Sequence, residues 1–440
     1  MALDAQSNWN VEMSQPLKLS NASQQSKPVP APESMAELYR KAPSQEILLP
    51  LEIVSHILSY IPRREDTQST FYSCTLVSRL WYSASISLLY ERPYLSGGNF
   101  NVFVTTVCPS KNAHVRQSAL APLVRRLDMG GLVHNSSRSL TARLLGRLKG
   151  NIVEFVAPQA SFAINSFPAL SRCTQLRYLD LSLISASISN RLLFRALKTL
   201  QHLETLLFPR TSNSDLDKND EICEWPPKLQ GLHLAGGVDD HFLRTHLLNV
   251  PPTLSRFSIQ HCSMVYSPAL LSTIEHLGPQ LQHLTIRHPM NRMGVGALDY
   301  ILLMCPILTA FRISADFITD ALFENIPQDH PLQILDLDCS GTAGTEVNIT
   351  AGAVYEAVEE GRLPCLRSVR VNARLAWNAT EGGKQDISDC EFLHCSSTAL
   401  HARFYVEANA NTTAVVDTME DLENETPLGI EPIGVWFSMD

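Results

Sequence analysis

Cations are in the minority in this 440-residue chain: 35 Lys and Arg stand against 44 Asp and Glu, for a formal charge of −9. A protein that holds nucleic acid by its phosphates needs clustered Lys and Arg, so the acidic balance argues against that class. Long apolar runs are missing too. The most apolar stretch, ILLMCPILTAF from Ile301, is broken by Pro306 and falls far short of the roughly 20 residues that a bilayer requires. Met1 to Ser26 is polar, without a basic start leading into an apolar core, and reads as neither secretory signal nor anchor. The ten cysteines include no CxxC pair and no matching His spacing, which suits reduced interior thiols of the cytoplasm or nucleus. Cys390, His394 and Cys395 stand close together, but a tetrahedral metal site needs more ligands nearby, so no metal is expected. Asn348-Ile-Thr and Asn378-Ala-Thr match a glycosylation pattern that is idle outside the secretory path. No GxSxG elbow, HExxH, P-loop or glycine-rich dinucleotide fingerprint occurs, and His233, His283 and His288 stand isolated on different repeats. The chain therefore reads as non-catalytic and free of cofactors. Aromatics are only 7% within a hydrophobic share of 45%, the composition of a folded soluble protein with an aliphatic interior.

What is present is repetition. A six-residue phrase, apolar at its first, fourth and sixth places, returns ten times: VRRLDM at Val124, IVEFVA at Ile152, LRYLDL at Leu176, LETLLF at Leu203 and LQGLHL at Leu229. It continues as LSRFSI at Leu254, LQHLTI at Leu281, LTAFRI at Leu308, LQILDL at Leu332 and LRSVRV at Leu366. The fourth and sixth places lie two apart, so on a short strand both point toward a shared interior. One such strand cannot bury its apolar side alone; parallel stacking of neighbours closes a continuous core. The return paths look helical. They begin at Ser139, Ser189, Asp239, Ser267, Ile318 and Ala351, several opening on Ser or Asp with apolar residues three and four apart.

The phrase and its spacing resemble the leucine-rich-repeat family from about Val124 to Val371. That resemblance implies an α/β solenoid with parallel strands on a concave face and helices on the convex one. In the ninth place of each repeat the family usually has Asn or Cys, which ties one coil to the next. Only Cys262 obeys; Thr211, Gly237, Pro289, Asp316, Ser340 and Arg374 stand elsewhere, so an irregular, locally kinked solenoid is expected.

Ahead of the repeats, residues 49–62 read LPLEIVSHILSYIP, with Ile53, Ile57, Leu58 and Ile61 at helical spacing and Pro62 as the stop. A polar turn, RREDTQST, leads to CTLVSRLWYSASISLLYERPYL, where one helix would align Leu76, Leu80, Ala84 and Leu88, with Val77 and Trp81 beside them. A hairpin of roughly 45 residues is marginal unless it docks on something. These residues resemble an F-box of the form common in fungal proteins: Leu49-Pro50-x-Glu52-Ile53, Leu58 to Pro62, Leu76-Val77-Ser78-Arg79-x-Trp81-Tyr82, and Leu88-Leu89-Tyr90. Two departures are the longer stretch from Asp66 to Ser73 and Tyr90 in place of a Trp. The resemblance implies docking on the Skp adaptor of an SCF ubiquitin ligase, and through it on cullin and RING subunits, with the repeats holding a protein substrate. Adaptor-contacting residues would be Leu49, Pro50, Ile53, Ile57, Leu58, Ile61, Pro62, Val77, Trp81 and Leu88. The alternatives are that the hairpin only lids the first coil, or that the chain is a ligase-independent scaffold.

The expected organisation is a disordered segment over 1–45, F-box over 46–95, connector over 96–122, about ten repeats over 123–375, and a C-terminal cap with an acidic loop over 376–440. Two short strands, LHARFYVEA from Leu400 and one within GIEPIGVWFSMD, would flank that loop; the alternative is a partly ordered tail that contacts substrate or folds back on the concave face. A long loop from Arg210 would project from one rim. Residues of the strands that point outward offer Arg256, His283, Arg287, Arg312, Asp336, Asp338 and Arg370. The three arginines could receive an acidic or phosphorylated segment, or simply be surface charges balanced by Asp336 and Asp338.

Overall fold

The computed structural model describes residues 49–110, 118–132, 137–213, 224–341, 349–395 and 434–438. The chain divides into two units, Met1–Pro50 and Leu51–Asp440. Everything below concerns the second, apart from Leu49 and Pro50. The segment over 1–45, most of the loop after Arg210, the strand expected at Leu400 and the acidic run lie outside the described residues.

Among the described residues, the ten repeats and one further strand form one parallel sheet of eleven strands. In chain order β1 is Arg126–Asp128, β2 Glu154–Val156, β3 Tyr178–Asp180, β4 Ile188–Ser189, β5 Thr205–Phe208, β6 Ser212–Asn213 and β7 Gly231–Leu234. There follow β8 Arg256–Gln260, β9 His283–Arg287, β10 Ala310–Ser314, β11 Ile334–Asp338, β12 Ser368–Asn372 and β13 Gly434–Ser438. Strands β4 and β6 pair only with each other, as a small rung beside the main sheet. Register follows the phrase. Leu127, Phe155, Leu179, Leu206, Leu232, Phe257, Leu284, Phe311, Leu335 and Val369 are successive partners, so every fourth place meets the next. First, fourth and sixth places of all ten phrases are at most 2% exposed. Burial of such a side chain stabilises by about 1.5–3 kcal/mol, and each strand owes it to the coils on either side.

Helices return the chain on the other side of this core. They include α5 (Arg138–Leu148), α7 (Asn190–Leu197), α8 (Asp240–His246), α9 (Ser267–Leu277) and α12 (Ala351–Glu359), with one-turn pieces α6 (Phe167–Leu170), α10 (Ile301–Met304) and α11 (Ala321–Glu324). The Ser and Asp starts act as caps where the geometry allows. Ser137 accepts from the Leu140 N–H, Asp239 from Phe242 and Thr350 from Ala353. The path expected to be helical after Ile318 makes only the single turn α11.

The ninth place works without Asn. Thr211 donates its hydroxyl to the Ala186 carbonyl at 2.8 Å, and Cys262 reaches the Leu234 carbonyl. Asp316 accepts the backbone N–H of Ser340 at 3.0 Å and also its hydroxyl. Arg374 closes the series on the Ser340 carbonyl at 3.3 Å. Different polar chemistries thus bind coil to coil, and the parallel register runs through the main sheet from β1 to β13, while the strand lengths and return paths vary from coil to coil.

At the far end β13 pairs in parallel with β12, matching one of the two strands expected there. The 15-residue helix α13 (Glu381–Cys395) was not foreseen; two consecutive glycines in its first turn hide the helical pattern. Cys390, His394 and Cys395 fall in it, with their side chains outside the described residues. Among the described residues no helix is long and apolar enough to cross a membrane.

Candidate docking surface and strand-lined face

Where one hairpin was expected, three helices form: α1 (Leu51–Ser59), α2 (Gln68–Val77) and α3 (Arg79–Glu91). The break falls at Ser78, whose extended backbone ends α2 and whose hydroxyl accepts the Trp81 N–H to start α3. A Ser before an apolar helical run is a cap signature, and that signal was available in the sequence. The break removes Leu76 and Val77 from the face shared by Leu80, Ala84 and Leu88 and leaves them in solvent.

The module closes a small core of its own from Val54, Leu58 and Ala84, with Ile61, Leu80, Trp81 and Leu88 packed around it. Leu58 is therefore an interior residue, not a contact for a partner. Its neighbour in the stripe is Val54, because positions four apart share a helix face. Ile53 and Ile57 make a neighbouring stripe about 100° round the helix and are 46% and 43% exposed, while Leu76 and Val77 are 68% and 65% exposed. Tyr60 and Tyr72 are exposed as well. Of the other residues expected to touch an adaptor, Leu49, Pro50 and Pro62 are exposed, and Ile61, Trp81 and Leu88 are half-buried.

The joint to the solenoid is tight. Tyr90 packs on the solenoid core, and the Glu91 carbonyl accepts the Arg125 N–H at 2.9 Å. Arg63 pairs with Glu91 at 2.7 Å, and Glu154 of β2 bridges Arg92 and Arg126 at 3.1 and 3.0 Å. A fourth helix, α4 (Phe100–Val107), buries Phe100, Phe103, Val104 and Val107 in the same core.

On the strand-lined face the expected basic strip is largely neutralised. Arg312 donates from Nε to Asp336 Oδ2 at 2.6 Å, with the two side chains only 12% and 7% exposed. Arg287 holds Asp338 in the same way at 2.6 Å. Burial alone would raise the Asp338 carboxyl, but the charge and hydrogen bond of Arg287, the Cys339 N–H and the Asn372 amide outweigh it and hold the group below the usual carboxylate range. Arg256, His283 and Arg370 remain half-buried on this face. His233 is pushed down to about 4, by desolvation first and by the charge of Arg256 second. Cys173, Cys262 and Cys305 are buried thiols pushed up to about 12, which makes them inert packing residues. No group of three or more His, Cys, Asp or Glu among the described residues could hold a metal ion.

A three-helix module with a bare apolar flank, joined to a leucine-rich-repeat solenoid, defines a two-part interaction protein. An F-box-like family profile matches residues 47–96. The F-box protein YDR306C of Saccharomyces cerevisiae is 30% identical over 354 residues, which covers 76% of this chain and 72% of that protein. Protein pof5 of Schizosaccharomyces pombe is 28% identical over 343 residues, covering 77% of this chain and 94% of that protein. The chain belongs to the F-box protein family. Among solved structures, the yeast Rad7 and Elc1 complex covers 80% of this chain and 84% of that chain at 16% identity, with a TM-score of 0.34, too loose a superposition to bear on partners.

Proposed function

We propose that this chain is the substrate-recognition subunit of an SCF-type ubiquitin ligase. Helices α1 to α3 dock on a Skp-type adaptor, which brings cullin and RING subunits, and the strand-lined face holds a protein substrate. The observation that supports this best is the division of labour inside α1: Val54 and Leu58 close the module, while Ile53 and Ile57 stand in solvent although the same short helix could have buried them. Ile53 and Ile57 are exposed one turn apart on α1, and Leu76 and Val77 are exposed at the end of α2; apolar side chains left in solvent are the signature of a surface that another protein covers. Chemistry then belongs to the partners. This chain contributes proximity by raising the local concentration of substrate lysines near the loaded conjugating enzyme.

The test is copurification with adaptor and cullin from cells. Ile53→Asp combined with Ile57→Asp alters only exposed positions, so thermal stability stays within about 0.5 kcal/mol of wild type while adaptor recovery is lost. The combination Leu49→Ala, Pro50→Ala and Trp81→Ala weakens recovery as well, with some destabilisation from Trp81. Wild-type protein that recovers neither adaptor nor cullin refutes the receptor reading and leaves a ligase-independent scaffold.

A further inference from the structure

Large apolar side chains in solvent are not spread evenly over the solenoid. Beyond Val102, nine stand exposed among the described residues, and all but Ile164 and Leu183 fall between Leu248 and Ile307. Four of them, Val295, Tyr300, Leu303 and Ile307, belong to one return path, the stretch from His288 to Ile307 that leads from β9 toward β10. Tyr300 immediately precedes α10 and Leu303 lies within it; they are 58% and 57% exposed. The middle and end of the same path show solvent no charge. From Met293 to Ile307 the one charged residue is Asp299, which is 8% exposed and accepts both the N–H and the hydroxyl of Thr319 at 2.7 Å. Other return paths are charged throughout, α5 by Arg138, Arg143 and Arg147, α7 by Arg191 and Arg195, and α12 by Glu356 and Glu359. Exposed apolar side chains with charge depleted around them have the composition of an interface core.

The charges that frame this window have a polarity. Across the return paths after β8, β9 and β10, which run over 261–280, 288–307 and 315–331, the one Lys or Arg is Arg292. It stands early in its path, eleven residues on from Leu281. Its guanidinium is held in place, with Cζ 4.4 Å from the Tyr266 ring centroid and Nη2 3.9 Å from the Met264 sulfur. Exposed acids come later: Glu324 in mid-path, and Glu275 and Asp329 each twenty-one residues on from Leu254 and Leu308. The acids at the starts of neighbouring paths are engaged by backbone, Asp239 by the Phe242 N–H, Asp240 by that of Tyr266 and Asp320 by that of Thr350. Arg292, Glu275 and Asp329 form no ion pair among the described residues.

We propose that this window is the contact between two copies of the chain, packed helical side to helical side about a two-fold axis. An axis through the middle of the path after β9 exchanges early positions with late ones, and the coil of β8 with the coil of β10. Arg292 of each copy then enters the late zone of the other, between Glu275 and Asp329, while Val295, Tyr300 and Leu303 close on their counterparts. The charge pattern is its own complement, with a cation early and anions late, and that is the property a two-fold contact requires of a single patch. An unlike partner would impose no such relation. The helices lie across the core from the strand-lined face, so this dimer leaves that face of both copies open, and it does not depend on the receptor reading above.

The test is sedimentation equilibrium of the full-length protein from about 1 to 100 µM, across which the mass is expected to pass from one chain to two. Tyr300→Asp combined with Leu303→Asp is expected to raise the dissociation constant more than about tenfold, and Arg292→Glu to raise it about tenfold. Ile164→Asp places the same charge at an exposed apolar position outside the window and leaves the constant at the wild-type value. Adding Glu275→Arg and Asp329→Arg to Arg292→Glu reverses the polarity and restores the dimer. Urea midpoints confirm that each variant is folded. Wild type that stays a single chain at every concentration overturns the proposal and leaves the window to a different protein. A dimer that Tyr300→Asp with Leu303→Asp leaves within about twofold of wild type overturns its placement, and a triple charge variant as weak as Arg292→Glu alone overturns the two-fold pairing. Adaptor copurification of the Tyr300 and Leu303 variant is measured separately and is expected to be intact; failure of wild type in that assay strikes the receptor reading and leaves the dimer standing.

Discussion

Substituting Arg312 by Met isolates the chemistry that removes most of the basic strip. Asp336 would then keep its carboxylate in a place 7% exposed after losing the partner 2.6 Å away. Breaking a buried ion pair from one side costs about 3–5 kcal/mol, because the remaining charge is left without its counterpart. Asp336 lies between Arg312 and Arg370 in the fifth-place row, and the second cation moves the expectation to the lower end, about 3 kcal/mol. Adding Asp336→Leu removes the stranded charge and fills the site with apolar atoms, so the double variant should return to within about 1 kcal/mol of wild type. Urea unfolding followed by far-UV circular dichroism measures all four corners of the cycle, with the slope against denaturant expected to stay constant. A single variant costing less than about 1 kcal/mol, or a double as damaged as the single, refutes the closed pair and returns Arg312 to the surface as a free cation.

Acid should unfold the protein in a window that His233 sets. The ring stays neutral in the folded chain down to about 4, whereas in the unfolded chain it protonates from its ordinary value near 6.5. The unfolded state therefore binds more protons as pH falls, and up to about 3 kcal/mol of stability is lost across that window. Urea midpoints against pH check this, and His233→Gln should flatten the slope; an unchanged slope refutes it. Asp338 adds a later loss, below the ordinary carboxylate range, as its depressed group finally protonates. Leu284→Ala, in the middle of the fourth-place ladder, should cost about 2–5 kcal/mol, against nearly nothing for Ile57→Ala at the exposed stripe; equal losses in a urea series would contradict the burial assigned to them. Gly278→Ala should be damaging as well, because the added methyl falls on the Met304 carbonyl oxygen of the next coil; a wild-type melting temperature would show that the coils are less closely apposed.

Long-range order was legible wherever periodicity carried it. The ten phrases located ten strands and all their inward positions, since a strand that buries one side can hold only one register. The docking helices were legible as a resemblance but not in detail. Ile53, Ile57 and Leu58 all fit a helical spacing, and only the turn-by-turn angle decides that Val54 joins Leu58 inside. Ser78 is a local signal overlooked because the apolar spacing ran through it. The ion pairs were legible as a balance, with Asp336 and Asp338 set against the arginines, but not as partners: Arg287 and Asp338 are 51 residues apart, and composition does not show which charges meet. Thr211, Asp316 and Arg374 teach the same lesson in reverse. A consensus residue was missing while its office was filled by other donors and acceptors.

The stitch between Glu91 and Arg125 has a mechanical consequence. With that bond and the Glu154 bridge in place, the end of α3 is hydrogen-bonded to the chain leading into β1, and no slack tether separates the helices from the first strand. On the proposed receptor function, a cargo seated on the strands would keep a constant bearing toward an adaptor that grips α1. Which of its lysines are offered would then be decided by where they sit.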